Sequence, residues 1–205
     1  MIKSQLGEEL DATIHRVFPF LFRRSLNPNL LSVCGVLVSL VAALAFSRGA
    51  FVAGGLLVLG GGFFDLVDGV VARHNGTSSR WGAFLDSSLD RLVDMALLLG
   101  ILMHYAKAGD LPLALLAGLA SIATVLVSYT KARAESIVPD FKGGVLERAE
   151  RVLILVAGAL LGLVPLALGV VAVGSTITAG QRMTLAYRRM SAIDAGQGPE
   201  ADAKQ

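Results

Sequence analysis

Asp65-Leu-Val-Asp68-Gly69-Val-Val-Ala72-Arg73, followed after a short connection by Gly82-Ala-Phe-Leu-Asp86-Ser-Ser-Leu-Asp90-Arg91, sets four acids in strongly apolar surroundings. A carboxylate withdrawn from water is costly unless something offsets its charge. Read as helix, Asp65 and Asp68 at i, i+3 share one face, and Asp86 and Asp90 at i, i+4 share a face of the next helix. Two such faces brought together form a cage of hard oxygen atoms suited to Mg²⁺ or Mn²⁺. A pair of divalent ions there would neutralise the acids and hold a diphosphate. The stretch therefore points to a metal-dependent membrane enzyme, with the rest of the chain as its scaffold.

The flanking composition agrees. Hydrophobic residues make up 54% of the chain and the mean hydropathy is +0.67, above that of an ordinary soluble domain. Apolar runs near the ~20 residues that cross a bilayer recur at 29–46, 51–71, 84–105, 111–130, 151–164 and 166–187. The expected fold is all-α: a polytopic membrane protein, a six-transmembrane-helix bundle forming one domain over residues 1–190. Gly162, Pro165 and Gly169 leave the turn between the last two spans ambiguous. With a cytoplasmic N-terminus, the outer turns hold only Arg48 and Lys107 of the 18 Lys and Arg, a strong positive-inside signal. Both termini and the four-acid stretch are then expected on the cytoplasmic side of the cell membrane. The net charge of +2 carries less information than this distribution, and no nucleic-acid partner is expected.

Glu8 to Arg24 places Leu10, Ile14, Val17, Phe18, Leu21 and Phe22 at helical intervals among charges. That pattern predicts an N-terminal amphipathic helix lying in the interface, the alternative being a solvated helix packed on a loop. Pro28 stops that helix, and Asn29 or Ser32 is placed to cap the next, whose free N–H groups can also meet a ligand oxygen. Gly54, Gly55, Gly60, Gly61 and Gly62 suit close helix packing in lipid, and no Walker-type Lys-Ser/Thr follows them. Gly69 and Gly82, among the acids, leave room for a flat ring or a diphosphate. Cys34 is the only cysteine, which excludes an internal disulfide. His15, His74 and His104 lack metal-ligand spacing. Residues 191–205 are polar, rich in Gly and Ala, and read as a disordered tail.

The motif Asp-x₂-Asp-Gly-x₂-Ala-Arg-x₈-Gly-x₃-Asp-x₃-Asp, matched at every fixed position from Asp65 to Asp90, resembles the signature of the CDP-alcohol phosphotransferase family. The resemblance extends to six spans with a cytoplasmic motif. It implies that Asp65, Asp68 and Asp86 bind metal, and that Asp90 completes the site and acts as general base. It also implies that Gly69, Arg73 and Ser79 contact the CDP moiety, together with the helix start Asn29, Leu30, Leu31 and Ser32. In that chemistry two Mg²⁺ or Mn²⁺ ions bridge the diphosphate of a CDP-linked lipid, and Asp90 takes the proton of an acceptor hydroxyl while CMP leaves. Family members that resemble this chain are homodimers.

The acceptor must be read from outside the motif. Lys131, Arg133, Arg151 and Arg182 are placed to converge at the cytoplasmic mouth, where they suit a phosphorylated acceptor. As ordinary positive-inside residues they would instead meet anionic lipid. Lys-Ala-Arg-Ala-Glu at 131–135, Gly-Gly-x₂-Glu-Arg-x-Glu-Arg at 143–151 and Leu-Asp-Ser-Ser-Leu-Asp-Arg at 85–91 resemble the phosphatidylinositol phosphate synthase branch. That branch implies inositol 1-phosphate as acceptor and adds Arg148 to the phosphate-binding candidates. Glu147 or Glu150 is the competing partner of Arg148. Asp94 continues the acidic stripe and reads either as a carboxylate supporting the metal site from behind or, at least as well, as the partner of Arg91 at i, i+3. Glycerol 3-phosphate, then neutral inositol or serine, are the alternative acceptors. A divalent-cation transporter is the alternative of another class, disfavoured because the acids cluster at one membrane face.

Overall fold

The structure, a computed structural model, describes residues 28–74, 76 and 79–196. The expected interfacial helix at 8–24 lies outside these residues, as does the end of the expected tail, 197–205. Among the described residues the fold is all-helical: α1 (Pro28–Ser47), α2 (Phe51–His74), α3 (Arg80–Lys107), α4 (Leu111–Glu135), α5 (Arg148–Leu161) and α6 (Val164–Asp194).

Local chemistry sets the helix ends. Ser79 caps α3, its hydroxyl accepting from the Gly82 N–H at 3.0 Å, so α3 begins before the expected span at Phe84. Asp110 caps α4 through the Leu113 N–H at 3.2 Å. Glu147 and Glu150 form a reciprocal capping box that starts α5 at Arg148. The ambiguous turn resolves at Gly162, which takes the left-handed conformation at φ 72°. There the Leu163 N–H donates to the Gly158 carbonyl at 2.7 Å, so the fifth helix ends at Leu161 and not Val164. Pro165 then falls in the first turn of α6, where its missing N–H costs nothing, and Gly169 lies inside the helix. Helix α6 continues to Asp194, into the stretch read as a disordered tail.

The helices are inside-out relative to a soluble bundle. In α4 the buried stripe is Ala114, Ala117, Ala120, Ala123 and Val127, whereas Leu111, Leu115, Leu119, Ile122 and Tyr129 face outward. In α1 the outward stripe is Leu30, Val33, Leu37, Val41 and Leu44. Large apolar side chains outside and small ones inside are the arrangement that lipid favours. Asn29–Ser47, Phe51–Val71, Leu111–Glu135 and Val164–Asp194 are long and apolar enough to cross a membrane. Two of the six expected spans fall short on length or composition. Helix α3 carries Arg80, Asp86, Asp90, Arg91 and Asp94, and α5 has only 14 residues. The chain is a multi-pass membrane protein.

The principal packed pairs close into a ring, α1–α2–α5–α6–α4–α3 and back to α1. One core cluster, including Phe46, Val58, Leu97, Leu98, Ala117, Leu155 and Leu168, draws on all six helices. Helix α1 packs intimately on both motif-bearing helices. A Cβ on Gly35 would stand 3.0 Å from the Gly61 carbonyl of α2, and one on Gly100 of α3 would collide with the Ala43 carbonyl. The two motif helices α2 and α3 are not themselves among these pairs, so their acids face each other across a gap.

Gly100→Ala is expected to destabilise the protein by about 1–3 kcal/mol through overpacking, outweighing its gain in helix propensity. Gly169→Ala, whose Cβ would meet nothing within 4 Å, is expected to be neutral or slightly stabilising. Thermal unfolding of both variants in detergent checks the contrast.

Candidate active site

The acids lie in the C-terminal half of α2 and from the first turns to the middle of α3, where Asp94 borders the main apolar core. Asp65 and Asp68 project from one face of α2, and Asp86, Asp90 and Asp94 form an i, i+4, i+8 stripe on α3. One oxygen from each of Asp65, Asp68 and Asp86 lies within 4.8 Å of the other two. Three hard carboxylate donors converging in this way fit a divalent cation of the Mg²⁺ or Mn²⁺ kind. From α1, the Ser32 hydroxyl donates to the Asp68 carboxylate. Ser32 therefore lies inside α1 and braces an acid, where capping of that helix was one expectation.

Asp90 stands apart from the three-acid group. Its carboxylate takes Nη1 of Arg148 at 2.9 Å. The same nitrogen reaches Asp65 at 3.3 Å, and Nε of Arg148 reaches Asp94 at 3.4 Å. Arg148 thus bridges three acids from two helices, where Glu147 or Glu150 was the competing expectation for its partner. The carboxylates on three sides offset the cost of drawing its guanidinium out of water. Asp94 also binds Nη2 of Arg151 at 3.4 Å. The expected Asp94–Arg91 pair is replaced by these contacts, and Arg91 turns to the Ser87 carbonyl one turn back.

Two cavities meet at this network. The first, about 480 Å³, runs between α1, α2, α3 and α5. Asp65, Asp86 and Ser32 contribute to its polar end, and Val36, Leu59, Phe63, Leu66, Leu97 and Leu153 to its apolar body. The second, about 280 Å³, is polar, lined by Asp94, Ser128, Lys131, Arg151 and Arg182 among others. Asp90, Arg148 and Ala149 line both.

The other sequence candidates divide. Lys131 lines the second cavity while approaching Glu135 at 3.8 Å. Arg182 is buried there as a strut, donating from Nε to the Gly143 carbonyl at 2.8 Å and from Nη1 to the Val127 carbonyl at 2.7 Å. Arg133 does not line it. This side chain is exposed and donates to the Ser136 hydroxyl at 3.3 Å. Gly69 lies under Arg73, whose Nη1 would be 3.3 Å from a Cβ placed there. Ser79 is occupied in capping α3, and Asn29 Oδ1 would be 3.9 Å from a Cβ on Gly82. Leu30 faces outward, and Leu31 packs on Val67, Val70 and Val71.

Solved structures share this arrangement of helices. The family model for CDP-alcohol phosphatidyltransferase matches residues 25–179. The chain is 41% identical to phosphatidylinositol phosphate synthase of Streptomyces avermitilis, over 97% of this chain and 89% of that relative. The crystal structure of Mycobacterium tuberculosis phosphatidylinositol phosphate synthase with CDP-DAG bound superposes with a TM-score of 0.75 at 30% identity, covering 89% of this chain and 94% of that one. The same enzyme in complex with manganese and citrate superposes with a TM-score of 0.78 at 32% identity, covering 84% and 88%.

Mn²⁺ is expected to raise the unfolding midpoint of the full chain, by the equivalent of about 2.7 kcal/mol at a hundredfold excess over its Kd. Asp68→Asn and Asp86→Asn should each remove most of that gain. Thermal shift and calorimetric titration with Mn²⁺ are the checks, and undiminished binding in both variants would rule out the three-acid site.

Proposed function

This chain belongs to the CDP-alcohol phosphatidyltransferase family, and on that footing we propose that it transfers a phosphatidyl-type group from a CDP-linked lipid to the hydroxyl of inositol 1-phosphate, releasing CMP. The observation that carries this reading is the pair of cavities with a shared wall. One is largely apolar and ends at the convergent acids, and the other is basic. The first suits a lipid carrying a diphosphate. The second, with Lys131, Arg148, Arg151 and Arg182, suits an acceptor that carries a phosphate of its own.

In this reading Asp65, Asp68 and Asp86 would hold Mg²⁺ or Mn²⁺, and Asp90 would complete a site for two ions. The bound metal supplies positive charge against the diphosphate and the departing CMP. Asp90, on the wall common to both cavities, accepts the acceptor hydroxyl's proton at its carboxylate. Arg148 beside it orients that carboxylate and presents N–H donors to the acceptor phosphate. Gly69, Arg73 and Ser79, with the start of α1 at Asn29 and Ser32, border the region proposed for the cytidine end. Attack falls on the lipid-side phosphorus, because CMP is the better leaving group.

The same reading takes residues 1–190 as one membrane domain, an interfacial helix at 8–24 followed by six spanning helices, with the site on the cytoplasmic side. Among the described residues, the turns at the end opposite the acids carry only Arg48 and Lys107 as basic flanks, which supports that orientation. A homodimer in the cell membrane completes it.

The test is to supply one CDP-lipid with inositol 1-phosphate, glycerol 3-phosphate, inositol or serine in turn, and to follow CMP. Release with inositol 1-phosphate is expected, and release with only neutral inositol or serine would sink the acceptor reading. Asp90→Asn should lower turnover by about 10²- to 10⁴-fold while the nucleotide-lipid still binds. Undiminished turnover would remove Asp90 as the base.

A further inference from the structure

Asp94 has no part in the roles above, yet it is the most enclosed acid of the α3 stripe that lines the second cavity, at 7% exposure. Its two oxygens divide between two side chains of α5. Oδ1 accepts from Nε of Arg148 and Oδ2 from Nη2 of Arg151, each at 3.4 Å. Arg151 is itself 3% exposed, and its Nη1 donates to the Leu146 carbonyl at 3.3 Å. A carboxylate so enclosed depends on its cationic partners to carry a charge, and they are aimed by it in return.

The arrangement has a directional consequence. Nη1 of Arg148 is drawn toward Asp90 and Asp65 in the acid cluster, whereas Nε is drawn toward Asp94. Without the Asp94 charge, Arg148 would fold onto the acid cluster and Arg151 would lose the contact that opposes repulsion from its neighbour. With it, both guanidinium groups are held along the second cavity, and their five N–H donors apiece exceed what these contacts use.

We propose that Asp94 is a positioning residue that holds Arg148 and Arg151 as paired anion-binding forks in the second cavity, and so sets the preference for a phosphorylated over a neutral acceptor. This rests on reading that cavity as the acceptor site.

The experiment uses the full chain in detergent micelles with Mn²⁺ present, comparing wild type with Asp94→Asn. The KM for inositol 1-phosphate should rise about 10- to 100-fold, with the KM for the CDP-lipid changed less than about twofold. Inorganic phosphate should stabilise the wild type against thermal unfolding and fail to stabilise the variant, while Mn²⁺ stabilises both. Where Asp94→Asn does not fold, Asp94→Glu keeps the charge but shifts the forks by one methylene, and should raise the KM for inositol 1-phosphate alone. Wild-type values for acceptor KM and phosphate stabilisation in the variant overturn the proposal. Equal rises in both KM values also overturn it, since they mark a general defect, as does a wild type that phosphate does not stabilise. Phosphate stabilisation that depends on Asp94, in an enzyme that rejects inositol 1-phosphate, would sustain the proposal and refute the acceptor named above.

Discussion

Ionised carboxylates gathered at the end of an apolar bundle repel one another and resist leaving water, and the architecture around them follows from that pressure. Five aspartates from α2 and α3 share one region, and the side chains that answer Asp65, Asp90 and Asp94 come from α5, more than fifty residues later in the chain. Arg148 is the centre of this compensation. It contacts an acid of α2 and two acids of α3, and so ties together the helices that carry the two halves of the motif. Divalent-ion binding at Asp65, Asp68 and Asp86 would relieve the repulsion that the arginine contacts leave in place.

The ring of helix contacts explains how the gap survives. Helix α1 clasps α2 and α3 through glycines at Gly35, Gly61 and Gly100, so both motif helices are fixed by a third element without closing on each other. Away from the acids the space is filled by the common core around Phe46, Leu97 and Leu168. Near them it opens into the two cavities. Rigid small-residue packing beside open volume is what a site held to useful tolerance needs, since its supports must not yield.

Much of this was legible in the sequence because its signals are local. The spacing of Asp65, Asp68 and Asp86 places them on facing helical surfaces, and the structure brings their oxygens together. The apolar runs marked every helix, though α3 and α5 carry too much charge or too little length to meet a spanning criterion unaided. The pairing of Asp94 with Arg148 and Arg151 was not legible. Asp94 has a nearer cation in Arg91, and only the tertiary fold brings α5 alongside. The directions of Arg133, Leu30 and Leu31 were hidden for a related reason: position beside a motif does not fix which way a helical side chain points. Helix phase turns Leu30 outward, and Arg133 faces away from the cavity that Lys131 borders. The contact of Ser32 with Asp68 likewise depends on α1 crossing α2 at close range, which spacing along one chain does not reveal.

The short fifth helix bears on the surrounding bilayer. Fourteen residues rise about 21 Å, against a hydrocarbon thickness of ~30 Å. At its far tip, Leu161, Leu163 and Leu166 are all exposed around the Gly162 reversal, so the turn offers grease instead of the polar cap of a loop at the water surface. Its backbone bond from Leu163 to Gly158 meets the need for an internal partner where water is scarce. A bilayer accommodates an apolar element shorter than its own hydrocarbon by thinning beside it, so α5, shorter than α4 or α6, is the side on which this fold would ask the leaflet to bend inward.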